Sequence, residues 1–136
     1  MLIMAVLAMP TSAQTDERSE LRLYKMNKQG QSSRLRFTAK KSKLAGCQNL
    51  VKAKRVHRAV QFGFAWCELY SEKDCPESAS LYLKQGDDDE AYTRLAQGYS
   101  WFLGAEPKEE RFPKYNRSER GQNVKSWRCE GVAARE

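Results

Sequence analysis

Two stretches of this chain carry the same side-chain pattern at a constant spacing of 46 residues. Leu21, Arg22, Leu23 and Tyr24, continuing through Ser32 to Phe37, align without gaps to Cys67, Glu68, Leu69 and Tyr70, continuing through Ser78 to Leu83. Leu23/Leu69, Tyr24/Tyr70, Ser32/Ser78 and Leu35/Leu81 are identical pairs, and Phe37/Leu83 is apolar in both copies. Each copy reads as a strand, a turn at Gly30 or Pro76, and a second strand. A further matching piece follows in each half, Arg58 to Phe62 and Lys125 to Cys129, at an offset of 67. Apolar and polar side chains alternate in these pieces, as they do in a strand with one face in the core and one in water. A chain repeated in this way builds its core from two copies of one unit, and here the unit is made of strands.

The second copy is longer than the first by about 21 residues. They fall within residues 86–121, which hold Asp87, Asp88, Asp89 and Glu90 together with Gly98, Gly104, Pro107 and Pro113. Such a composition is the least core-like in the chain. Asp89 as a cap, with acidic residues in the first turn, predicts a short helix over 89–96. Tyr99, Trp101 and Phe102 are expected to pack the insertion back onto the body.

The N-terminal run Met1 to Met9 is apolar and uncharged, and Pro10, Thr11, Ser12 and Ala13 follow it before the first charge at Asp16. That order predicts a secretory signal over residues 1–13 cleaved after Ala13, although the usual positive n-region is missing and a start upstream of Met1 would supply it. The run is too short to span a bilayer, so an integral membrane protein is not expected. Cys47, Cys67, Cys75 and Cys129 are an even set in such a chain, which predicts two disulfides in one of three connectivities. Zinc is the rival use of four thiols, but no CxxC pair exists and His57 is the only histidine.

At these residues the chain resembles the βγ-crystallin type of domain, in which two Greek-key motifs form a two-sheet β-sandwich. Leu21 to Tyr24 and Cys67 to Tyr70 are similar to the aromatic-bearing first strands of that family, and Val124 to Cys129 is similar to its last strand, with Ser126 in the family's serine position. The likeness runs over residues 20–131, with motif one at about 20–64 and motif two at about 65–131 including the insertion 86–121. Three positions depart from the family pattern. Gly30 lies six residues after Tyr24 rather than the usual seven, Pro76 occupies the matching place in the second half, and Ala59 stands at the serine position of the first half. The resemblance implies an all-β fold, with the first and last strands of each motif paired in one sheet. It thereby implies a Cys67 to Cys129 disulfide and leaves Cys47 to join Cys75.

Many microbial members of that family bind calcium through an acidic pattern in each motif. The aligned segments here are Lys54, Arg55, Val56, His57, Arg58, Ala59 and Gly121, Gln122, Asn123, Val124, Lys125, Ser126, which offer no carboxylate. A hard cation needs oxygen ligands, so no metal is expected at those positions. The run Asp87 to Glu90 is the one acidic cluster, read as a solvated loop or helix start rather than a cation site. No cofactor motif is present.

Catalysis needs a nameable nucleophile and base. His57 sits among Lys52, Lys54, Arg55 and Arg58, which disfavour its protonated form, and it reads as a surface residue at a strand edge. Glu68 and Glu130 could serve glycoside hydrolysis only at a suitable separation, on which sequence is silent. With no phosphate loop, Ser-His-Asp set or HExxH helix, a non-enzyme is expected.

The chain holds 24 Lys and Arg against 17 Asp and Glu, a formal net charge of +7. Long-range attraction then favours an acidic protein, enzyme or toxin, or an anionic envelope component such as peptidoglycan or lipid, and with an exported location in the periplasm or outside nucleic acid is not an expected partner. The densest basic segments are Lys40, Lys41, Ser42, Lys43 and then Lys52 to Arg58. Lys52, Lys54, Arg55 and Arg58, with Tyr99 and Trp101 as aromatic partners and Tyr115 as a further stacking candidate, are the expected contact residues. Crystallin-like microbial domains include protease inhibitors and toxins. The function expected is therefore an exported, non-catalytic binding protein, an inhibitor or immunity-type protein acting on an envelope or extracellular enzyme. An anionic-surface or glycan binder is the alternative, followed by a small secreted toxin or hydrolase.

Overall fold

The computed structural model describes residues 17–86, 90–106, 109–111 and 113–131. Residues 1–13, where a signal is expected, and Asp87 to Asp89 of the acidic run lie outside them. The fold is all-β, with two antiparallel sheets. In chain order the elements are β1 (Arg18–Met26), β2 (Ser32–Lys40), a single helical turn α1 (Lys41–Leu44), β3 (Gly46–Val56), β4 (Arg58–Phe62), β5 (Trp66–Tyr70), a 3-10 turn (Glu77–Ala79), β6 (Trp101–Phe102) and β7 (Gln122–Glu130). The first sheet has the order β2-β1-β4-β6 and the second β3-β7-β5. Each half thus lends one strand to the other's sheet: β3 pairs with β7 and β6 pairs with β4.

Alternation in β1 and β2 decides which side chains meet. Leu21 and Leu23 are fully buried opposite Phe37 and Leu35, while Arg22 faces Arg36 and Tyr24 faces Arg34 on the other side. The core between the sheets gathers Leu21, Leu23, Phe64, Leu69, Val124 and Trp127, among others. At the β1–β2 turn Gly30 has φ +85°, and a Cβ placed there would lie 2.7 Å from the ring of the buried Tyr115. Both the backbone and the aromatic lid over this turn therefore require glycine.

The repeat extends to strand register. Tyr24 faces Arg34 in the first hairpin and Tyr70 bridges Ser80 in the second, which keeps the 46-residue offset on both sides of the turn. The third strand differs from expectation by one residue. Leu23 faces Ala59 whereas Leu69 faces Trp127, so the spatial offset is 68, not 67. A one-residue slip in a period-2 pattern exchanges faces, and the counterpart of Ser126 is consequently Arg58 rather than Ala59. Ser126 is fully buried; its hydroxyl donates to the Glu72 carbonyl at 2.5 Å and accepts the Cys75 N–H at 3.1 Å. It ties the turn of the second hairpin, where Asp74 and Cys75 take positive φ, to the sheet.

Disulfides join Cys67 to Cys129 and Cys47 to Cys75. Cys67 and Cys129 are direct cross-strand neighbours, and Cys67 turns both its N–H and its carbonyl away from β7 to Leu95. That makes the pair a non-hydrogen-bonded one, the closer of the two kinds in an antiparallel ladder. Its counterpart in the first half is Leu21 opposite Gln61. Gln61 is also fully buried, and its amide bonds to Phe64 N–H, Phe64 O and Leu95 O at 3.0 to 3.1 Å.

The insertion departs from expectation in two ways. Residues 90–96 form no helix: Tyr92 exchanges backbone bonds with Leu83 and Leu95 with Cys67 at 2.7 to 3.1 Å. Pairing to existing strands, with Leu95 wholly buried, outcompetes the local capping preference. Nor is the segment marginal to the core, since Leu95, Trp101, Leu103 and Tyr115 are all buried and β6 completes the first sheet.

Candidate anion-binding face

The outward face of the first sheet collects every second residue of three neighbouring strands. β1 contributes Arg18 and Arg22, β2 contributes Arg34, Arg36 and Lys40, and β4 contributes Arg58. Against these six cations the same strand positions carry one carboxylate, Glu20. Strands in a sheet lie about 4.8 Å apart, so the guanidiniums form a two-dimensional array rather than a stripe.

Part of the array is held in place. The Glu20 carboxylate, 12 % exposed, bonds to Arg22 and to Arg36, the latter at 3.0 Å. These guanidiniums, Arg36 foremost, pull the Glu20 carboxyl below its ordinary pKa, and Glu20 in turn raises that of Arg22. Arg22 also lies over the ring of Phe62 at 5.0 Å, and Arg58 lies 3.9 Å from the centre of the Tyr24 ring while donating to Ser100 Oγ at 3.0 Å. Stacking of this kind fixes guanidinium planes that water would otherwise leave mobile. Arg34 and Lys40 are exposed at the sheet edge. A shallow depression of about 380 Å³ opens between Arg18, Glu20, Arg22, Arg36 and Phe62. What the face can do chemically is present several planar, charged forks to carboxylates or phosphates at once.

The contact residues expected from sequence are spread over several places. Arg58 alone lies on this face. Lys52 and Lys54 line a separate cleft of β3 with Leu35 and Phe37. Arg55 donates to the Gly121 carbonyl at 2.6 Å, and burial first, then Arg117 and Arg120, lower its pKa. Tyr99 is 57 % exposed, next to Ser100. Trp101 is only 5 % exposed and Tyr115 only 3 %, so neither has a free ring for a partner: both are drawn into the core by their own apolar area. Arg18, Arg22, Arg34 and Arg36 were not expected, although the alternation of arginine with leucine and phenylalanine in β1 and β2 contains the signal.

His57 is not a surface residue. It sits in the break between β3 and β4, 3 % exposed, edge-on to Phe102 with ring centres 5.5 Å apart. Its backbone bridges Tyr24 and Leu103, and among the described residues its Nδ1 has no hydrogen-bond partner. Burial and, secondarily, Arg58 push its pKa below 6.5. The folded state thus holds a neutral imidazole that the unfolded chain protonates below pH about 6.5. The resulting stabilisation is complete above that pH and is lost as pH falls through the depressed native value. His57→Gln is expected to flatten the change in urea midpoint between pH 7.5 and 5; an unaltered slope would assign the pH dependence to other groups. Glu20 acts in a lower window, below pH 4.5.

Glu68 and Glu130 are both engaged with their neighbours on the second sheet. Glu68 accepts from the Tyr70 hydroxyl at 2.8 Å and lies 3.7 Å from Arg94, while Glu130 lies 3.3 Å from Arg128. Burial and the Glu68 contact push Tyr70 up to about 12. This face is balanced in charge where the first is strongly basic. Among the described residues no three His, Cys, Asp or Glu side chains gather as a metal site, and no described helix is long and apolar enough to cross a membrane. Comparison with protein families, with characterised proteins and with solved structures finds no match to this chain.

Proposed function

We propose that this protein is an exported, non-catalytic binding protein that seats the arginine face of its first sheet on an acidic protein, in the manner of an inhibitor or immunity protein covering an enzyme. The observation that carries this reading is the six-to-one excess of cations over carboxylates on that face, with Arg22 and Arg58 stacked on Phe62 and Tyr24. Arginine and tyrosine are the residue types that concentrate binding energy in protein interfaces, and ordered side chains lose less entropy on association. Two disulfides suit an oxidising compartment. The strand exchange between halves, the shared hairpin register and the Ser126 clamp support the crystallin-like Greek-key reading of the fold.

The test is a pulldown from envelope extract with wild-type protein and with Arg34→Glu/Arg36→Glu. Wild type is expected to retain one acidic protein in stoichiometric amount. The reversed pair is expected to bind at least about 100-fold more weakly, because like charges set against each other cost several kcal/mol. Retention by both proteins alike would overturn the use of this face. Binding of wild type only to peptidoglycan or lipid, fading with salt, would move the assignment to the polyanion alternative, which the regular spacing of the array also fits.

A further inference from the structure

A second concave site lies on the opposite side of β2. The inner-face residues Leu35 and Phe37 are only half-buried, because β2 is the edge of the first sheet, and β3 is the matching edge of the second. Between them opens a cleft of about 300 Å³ lined by Leu35, Phe37, Leu50, Val51, Lys52 and Lys54. Its floor is continuous with the core through Phe37, whose ring centre lies 5.9 Å from that of Trp127.

The cleft's second wall is a large bulge. Pairing of β3 with β7 stops at Asn49 opposite Ser126 and resumes at Lys54 opposite Val124. Residues 50–53 therefore stand opposite Lys125 alone. Leu50 turns inward, 8 % exposed, and Val51 is 97 % exposed. A bulge re-aims side chains and ends regular pairing, so this edge is poorly suited to receive another strand, and its lysines oppose strand addition as well. Among the described residues no carboxylate lines the cleft, and neither Lys52 nor Lys54 is in an ion pair.

We propose that the cleft binds a free anionic amphiphile, a single apolar chain with a carboxylate or phosphate head. The four apolar side chains accept the chain, and the two ammonium groups meet the head. A pocket of this size, mostly apolar with a few convergent charges, is of the kind that holds small molecules. Its concavity favours one monomeric chain over a bilayer, which offers no protruding group to enter it. The site is independent of the arginine face, which lies on the other side of the first sheet.

The experiment is a titration of the full protein with dodecanoate below its micelle-forming concentration, followed by amide chemical shifts and calorimetry. The expected result is saturable one-to-one binding with shifts at Leu35, Phe37 and Val51 and no response to acetate. Lys52→Glu/Lys54→Glu is expected to weaken binding about tenfold or more, and Lys73→Glu, which reverses an equal charge on an exposed turn, is expected to leave it unchanged. Equal affinity of dodecyltrimethylammonium, equal affinity in the double variant, or shifts outside the cleft would each overturn the proposal. So would a response confined to micelles or to phosphatidylglycerol vesicles, which would place the chemistry on a lipid surface. Mapping the shifts on the wild type keeps the test valid if the double variant does not fold.

Discussion

Replacing Cys67 and Cys129 together by alanine is expected to lower the free energy of unfolding by about 4 kcal/mol in the chain-entropy account of a cross-link. The two residues are 62 apart in sequence, against 28 for Cys47 and Cys75, so the unfolded chain gains more freedom from this loss than from the other. Both sulfurs are also wholly buried, and the alanines leave a void where they stood. For a domain of this size the midpoint of thermal unfolding should fall by roughly 15 °C or more. Calorimetry of wild type and double variant measures it. A fall of only a few degrees would show that pairing of β5 with β7 holds the second sheet without the bond. The Cys47/Cys75 double variant gives the internal comparison, with a smaller expected loss.

Trp101→Ala is expected to be the other severe change, costing about 3–5 kcal/mol. The indole packs edge-to-face with Tyr92, ring centres 5.6 Å apart, and its Nε1 donates to the Ala96 carbonyl at 3.2 Å, so one ring fastens three parts of the insertion. Tyr99→Ala, two residues away on an exposed ring, is expected to change stability by no more than about 0.5 kcal/mol. Urea unfolding of the two variants side by side separates an insertion that belongs to the core from one that merely decorates it. Near-equal midpoints would support the decorative view.

How much could be read in advance follows from what each feature depends on. The first hairpin was legible because β1 and β2 are long enough to show alternation. In the second copy β5 forms as expected, but the second strand expected over 78–83 does not, since Glu77–Ala79 is a 3-10 turn and Ser80 and Leu83 make only single bridges. β4 and β7 were legible as strands, but their register was not: a five-residue strand with apolar side chains on both faces fits at either of two offsets, and pairing with Leu23 and Leu69 decides between them. The insertion was misread because its pairing partners lie far away in sequence. Single bridges at Tyr92 and Leu95 leave no periodicity, whereas Asp89 looks locally like a cap. His57 was misplaced for a related reason: at the break between β3 and β4 alternation stops, and Val56 and His57 are buried in succession. The arginine face does not show as a run of charge along the chain. A sheet assembles its surface from alternate residues of different strands, so the densest run, Lys52 to Arg58, is dispersed, while the sparser arginines of β1 and β2 converge.

Strand exchange between the halves also sets an order on folding. The middle strand of the second sheet is β7, the last strand among the described residues, and it pairs with β3 from the first half as well as β5 from the second. During synthesis neither β3 nor β5 has its partner until residue 130 has emerged. Cys47, Cys67 and Cys75 have all appeared well before that, while Cys129 is still to come. The first half can form its β1–β2 hairpin and add β4, but β6 must arrive before that sheet is complete. The contacts of the second sheet are therefore acquired late and nearly all at once, and until then the oxidation of the thiols is without a template.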